Sequence, residues 1–140
     1  MRDANPRRYV LDTSVLLAYS GDEPGARVIE ALLLKARQGK VEAYISFMTT
    51  MEAAYHAFRA KGKDGLVNVL AYLQELPLRR IDMSEELLSL AAQVKGTYRL
   101  SVADAWILAT AKHLDATLVH RDPEFEQARA ELSLQALPSR

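Results

Sequence analysis

Short β-type runs alternate with longer helical stripes along this chain, and no other feature limits its fold as tightly. Y-V-L at 9–11, V-E-A-Y-I-S at Val41–Ser46, P-L-R-R-I-D at 77–82, A-T-L-V-H at 116–120 and L-S-L-Q-A at 132–136 read as strands. Between them, apolar residues recur at helical spacing. The helical segments are 13–19, Ala26–Arg37 closed by Gly39, 49–60 ending near Gly62, 65–76, a stretch opened by Ser84 and running towards Tyr98, and 101–114. Parallel strands need long crossovers, and helices of this length supply them. The pattern predicts an α/β fold with a central, mainly parallel sheet of four or five short strands. In such sheets ligands sit beyond the carboxyl ends of the strands, at the point where the strand order reverses. Functional groups are therefore expected just after strands or at the helix starts that follow.

Composition narrows the function. The 140 residues suit one domain, spanning 1–140, with a sizeable core. Eighteen basic and 18 acidic residues cancel, which argues against binding nucleic acid by bulk charge alone. That balance leaves room for a nucleic-acid enzyme, whose acidic metal ligands offset its basic contacts. Without cysteine there is no disulfide framework, thiolate metal site or cysteine nucleophile. The start M-R-D-A-N-P-R-R lacks an apolar signal core, and no stretch approaches the ~20 apolar residues of a membrane span. A cytoplasmic location is the expectation.

Four carboxylates fall where the fold predicts function. Asp12 lies between two apolar runs in Y-V-L-D-T-S-V-L-L-A-Y, where a helix N-cap accounts for it. Glu52 follows the second strand in S-F-M-T-T-M-E, at capping-box spacing from Thr49, with Ser46 offering a second register. Asp104 has the same spacing from Ser101, but it opens L-S-V-A-D-A-W-I-L-A-T-A, a helix apolar on nearly every side and so expected to be buried. An unpaired charge there is costly. Asp122, in H-R-D-P-E-F, is a natural turn residue before Pro123, with Glu124 beside it. Each acid has a structural account alone, but together they converge on one side of the sheet. Carboxylates brought together repel one another unless a cation intervenes. An all-oxygen set suits Mg²⁺ or Mn²⁺, whereas His56, His113 and His120 have no zinc-like spacing.

These blocks, V-L-D-T-S, S-x-x-T-x-x-E, L-S-V-A-D-A-W-I-L-A-T-A and D-P-E-F, resemble the PIN-domain nucleases, and within them the VapC-like toxins of type II toxin–antitoxin modules. The resemblance covers nearly the whole chain and implies a three-layer α/β/α fold. It places Asp12, Glu52 and Asp104 on the family's three acidic positions and Asp122 on its fourth. Thr13, Ser14 and Thr49 fall on the supporting hydroxyl positions. Many relatives carry Thr or Ser where this chain has His120, and a second Asp where it has Glu124.

The resemblance implies hydrolysis of RNA phosphodiesters with Mg²⁺ or Mn²⁺. Asp12, Asp104 and Asp122 are the expected ligands, and Glu52 is expected to bind a second ion or orient the attacking water. It further implies a homodimer inhibited by a cognate antitoxin. Related alternatives are a nuclease of RNA maturation and a catalytically silent module that binds RNA or protein; a phosphatase using Asp12 as nucleophile is disfavoured because Ser14 stands where a second acid belongs. Arg7, Arg8, His56, Arg59, Lys61, Lys63, Arg99, Lys112 and Arg121 are candidate phosphate contacts, each with a solvated surface charge as the simpler account. Tyr19, Tyr55 and Tyr98 are candidates for base stacking, with packing as the simpler account, and Trp106 is expected in the core.

Overall fold

The computed structural model describes residues 6–138. Five strands, β1 (Arg7–Leu11), β2 (Val41–Ser46), β3 (Arg79–Ile81), β4 (Thr117–His120) and β5 (Leu134–Ala136), form one sheet in the order β3-β2-β1-β4-β5. Every pairing is parallel, with Tyr9 opposite Ala43 on one side and Thr117 on the other. The chain winds outward from β1 through β2 to β3, crosses back over the sheet, and lays β4 and β5 against the other side of β1. The strand order therefore reverses between β1 and β4, and the crevice at their carboxyl ends is the natural binding site.

Alternation along the strands builds two cores. Val10, Tyr44 and Leu118 face one side and pack with α4 (Glu85–Thr97) and α5 (Val102–Leu114) through Leu87, Val94, Ile107 and Leu108. Leu11, Ala43, Ile45 and Val119 face the other and meet α1 (Thr13–Ser20), α2 (Ala26–Arg37) and α3 (Phe47–Glu75) through Val15, Leu16, Ile29, Leu33 and Ala53. Neighbouring strand residues point to opposite faces, so runs such as V-L and L-V must be apolar throughout to fill both layers. The result is a three-layer α/β/α sandwich. No helix among the described residues is long and apolar enough to cross a membrane.

Helix α5 is buried as its composition predicts: Ala105, Ile107, Leu108, Ala109, Thr110 and Ala111 are all inaccessible. Trp106 is half-buried, packed on the first core and edge-on to Phe47 at 5.0 Å. The helix break expected at Gly62 is a kink within α3. Lys61 and Gly62 leave helical geometry, and Gly62 takes φ +66°, a conformation that glycine adopts without strain.

Several boundaries differ from the sequence expectation: β1 starts at Arg7 rather than 9, and β3 is confined to Arg79–Ile81 instead of 77–82. Helix α3 starts at Phe47 rather than 49, capped by Ser46 Oγ accepting from Met48 N at 3.0 Å. The last strand begins at Leu134 instead of 132. A 3-10 turn (Pro123–Ala128), which the sequence reading did not anticipate, fills the step from β4 to β5, with Asp122 as its cap and Pro123 at its first position.

Candidate active site

The strand ends nearest the order reversal deliver three of the acids, and the start of α5 delivers the fourth. Asp12 is the first residue after β1, and its N–H donates to Val119 O of β4 at 3.0 Å. Asp122 follows β4, Glu52 lies in the second turn of α3 after β2, and Asp104 is in the first turn of α5. All four line one cleft of about 600 Å³, together with Thr13, Ser14, Leu17, Glu23, His56, Arg121 and Pro123.

The capping accounts hold for three acids alongside this convergence. Asp12 Oδ2 accepts from Ser14 N at 3.3 Å and from the Ser14 hydroxyl at 2.6 Å. Ser101 Oγ caps α5 by accepting from Asp104 N at 3.1 Å. Asp122 Oδ1 accepts from Glu124 N at 3.0 Å. Capping orients a carboxylate as well as stabilising its helix, so cap and site are one arrangement seen twice.

Glu52 is the exception. With α3 capped by Ser46, Thr49 falls at the third helical position and Glu52 lies a turn beyond, outside any capping box. Instead Thr13 Oγ1 stands 2.6 Å from Glu52 Oε1 and 3.0 Å from Thr49 Oγ1. A hydroxyl has one proton; Thr13 gives it to the carboxylate, the stronger acceptor, and accepts from Thr49. Thr49, fully buried, thus acts on Glu52 through Thr13.

The cleft is strongly unfavourable for anions. Burial pushes the Asp12 carboxyl up to about 7; the Ser14 hydroxyl opposes the rise, and the charge of Asp104 adds to it. Burial likewise pushes Asp104 up to about 6, against a hydrogen bond to Ser101, and the carboxylates of Glu52, Asp122 and Glu124 push the same way. Asp104 therefore senses Glu52 and Asp122, and Asp12 in turn senses Asp104. Glu124 acts at a distance, since its side chain does not line the cleft. Among the described residues no three acidic or histidine side chains stand close enough to form a closed set of ligands. The acids face a shared open space, and their oxygen-only chemistry fits a hard divalent cation.

Beyond the four acids, the cleft holds further charged and aromatic side chains, Arg121, Glu23 and His56. The Arg121 side chain is only 8% exposed, and its guanidinium pairs with Glu23 at 3.1 Å. That corrects the expectation of a solvated surface charge. Glu23 gave no signal in sequence, because only the fold brings the α1–α2 connection beside the end of β4. His56 lines the cleft one helical turn beyond Glu52 and stacks on the exposed Tyr55 with ring centroids 4.4 Å apart. Tyr19 and Tyr98 pack against the cores. Arg7, Arg8, Arg59, Lys61, Lys63, Arg99 and Lys112 are exposed and outside the cleft. His120 is buried; its Nδ1 accepts from Asp122 N at 3.1 Å and its Nε2 lies 2.8 Å from Glu126 Oε2.

Solved structures share this architecture. A chain of VapBC2 from Rickettsia felis, bound to a DNA fragment from the VapBC2 promoter, superposes with TM-score 0.73 at 20% identity, over 93% of this chain and 98% of that one. A toxin–antitoxin complex from Klebsiella pneumoniae gives TM-score 0.62 at 23% identity, covering 82% and 87% of the two chains. VapBC-5 from Mycobacterium tuberculosis, of the VapBC family of toxin–antitoxin systems, gives 0.62 at 18% identity over 96% and 100%. No curated protein matches the sequence. The family model described as PIN domain matches residues 9–131, a span that runs from β1 past β4 and includes Asp12, Glu52, Asp104 and Asp122. The chain belongs to the PIN domain family.

Proposed function

We propose that this protein is a divalent-metal-dependent endoribonuclease, the toxin of a toxin–antitoxin module. The observation that carries the proposal is the convergence of Asp12, Glu52, Asp104 and Asp122 on one cleft, at a cost to ionisation that the fold tolerates at Asp12 and Asp104. Helix caps after parallel strands all fall on one side of the sheet, so it is the sharing of one cleft, not the capping positions, that sets these acids apart. Mg²⁺ or Mn²⁺, when bound, would polarise a phosphodiester and neutralise charge at its leaving oxygen. Asp12, Asp104 and Asp122 would hold the ion. Glu52, fixed by Thr13, would orient a water towards phosphorus and take its proton. Ser14 holds the Asp12 carboxylate, and His56 and Arg121 are the basic side chains lining the cleft that would meet a phosphate.

Several solved relatives in fold are toxin–antitoxin assemblies, which supports a cognate antitoxin as partner. An apolar stripe on α3, Met51, Tyr55 and Phe58, is 39–52% exposed and suits a protein interface, whether with an antitoxin or a second copy of the chain. A cytoplasmic location is part of this reading, in keeping with a cysteine-free sequence.

The purified protein should cut RNA internally with Mn²⁺ or Mg²⁺ and lose that activity in EDTA. Asp104→Asn should abolish cleavage with an unchanged circular dichroism spectrum. Induced expression should arrest growth, and Asp104→Asn should relieve the arrest. Full activity in EDTA overturns the metal mechanism. Cleavage without growth arrest points to RNA maturation, and absence of both to a silent binding module.

A further inference from the structure

We propose that His120 is a positioning residue for Asp122, holding the main chain of that acid in place without entering the cleft, an inference resting on the metal-dependent function above. His120 ends β4 and is 1% exposed. Its ring makes two hydrogen bonds, and both go to the segment that carries Asp122. Nδ1 accepts from Asp122 N at 3.1 Å, and Nε2 faces Glu126 Oε2 at 2.8 Å. A ring nitrogen that accepts from a main-chain N–H carries no proton, so the proton sits on Nε2 and is donated to Glu126.

Three further contacts, one to the ring itself, hold this arrangement in place. Arg129 clamps Glu126 through its Nε at 2.9 Å and through its Nη2. Phe125, also buried, packs edge-on against the imidazole with centroids 5.3 Å apart. His120 O accepts from Leu137 N at 2.7 Å, pinning the strand end from beyond β5. Arg129, Glu126, His120 and Asp122 N thus form one chain of donors and acceptors that ends on the main chain of a cleft acid. The 3-10 turn capped by Asp122 holds that carboxylate from the other side, through Glu124 N. A buried imidazole whose only purpose was to fill space would leave two polar nitrogens to satisfy, whereas an aliphatic residue would fill the same space without them.

Two substitutions separate positioning from packing. His120→Asn places an amide oxygen near the position of Nδ1 and can still accept from Asp122 N. His120→Gln carries its amide out towards Glu126 and leaves Asp122 N without a partner. Both shrink the buried side chain, so both should lower the melting temperature by similar amounts. Mn²⁺ affinity, measured by calorimetry on the full chain, should divide them: His120→Asn within about threefold of wild type, His120→Gln weaker by about tenfold or more, the cost typical of lost outer-shell support. In the metal-free protein, ¹⁵N chemical shifts of His120 should report the Nε2–H tautomer. Equal Mn²⁺ affinities for the two variants, an Nδ1–H tautomer, or a wild type that binds no Mn²⁺ would each overturn the proposal. If the affinities divide as expected while wild type cuts no RNA, the positioning role stands and the nuclease function fails.

Discussion

Asp12→Asn should make the metal-free protein more stable, and only above mildly acidic pH. The carboxyl is 4% exposed, and burial raises it from 3.8 to about 7. A group whose pKa is raised on folding binds its proton more tightly in the folded state. Its contribution is intact below about pH 3.8 and is lost progressively as pH rises through about 7. At about 1.4 kcal/mol per pH unit, the loss by pH 8 is about 4 kcal/mol. Asparagine stays neutral and still caps α1, giving up about 1 kcal/mol from the charge-assisted bond to the Ser14 hydroxyl. The net gain is about 3 kcal/mol at pH 8, a rise in Tm of roughly 10 °C for a domain of this size. At pH 4.5 most of the penalty has gone, and wild type and variant should melt within a few degrees of each other. Thermal denaturation in EDTA at the two pH values measures both differences. Equal Tm values at pH 8, or the same stabilisation at pH 4.5, would refute the claim that Asp12 is held ionised at a cost. Added Mn²⁺ should raise the Tm of wild type more than that of Asp12→Asn, reversing the order seen without metal.

Two other perturbations probe the supports of the site. Thr13→Val removes the hydroxyl that donates to Glu52 and leaves the buried Thr49 hydroxyl without its partner; it should cost about 1–3 kcal/mol in denaturant titration and lower RNA cleavage by roughly tenfold or more. Gly65→Ala should destabilise by about 1–3 kcal/mol, although alanine in a helix normally stabilises by up to about 1 kcal/mol. The added Cβ would lie 2.6 Å from Ala57 O and 2.8 Å from Lys61 Cβ, inside the α3 kink; a Tm above that of wild type would show that the kink yields.

The layers of this protein were legible in its sequence because strand and helix periods are local. Apolar pairs such as Val10-Leu11 and Leu118-Val119 can serve only strands covered on both faces, and the apolar circumference of residues 105–111 can serve only a buried helix. The acids were legible for a related reason: Asp12 and Asp122 follow strands, and in a parallel sheet every strand ends on the same side. Tertiary structure decided the rest. Ser46 rather than Thr49 caps α3, because capping depends on where β2 releases the chain, and the displaced Thr49 is then free to bond Thr13 across 36 residues. Arg121 is drawn out of solvent by Glu23, 98 residues away in sequence, through a contact no spacing rule anticipates. His120, which the pattern of strands marked only as a strand end, gains its tautomer and its hold on Asp122 from a 3-10 turn that exists because β5 closes the sheet beyond it. Local periodicity is written in neighbours along the chain; hydrogen bonds and ion pairs between distant segments exist only once hydrophobic burial has brought those segments together.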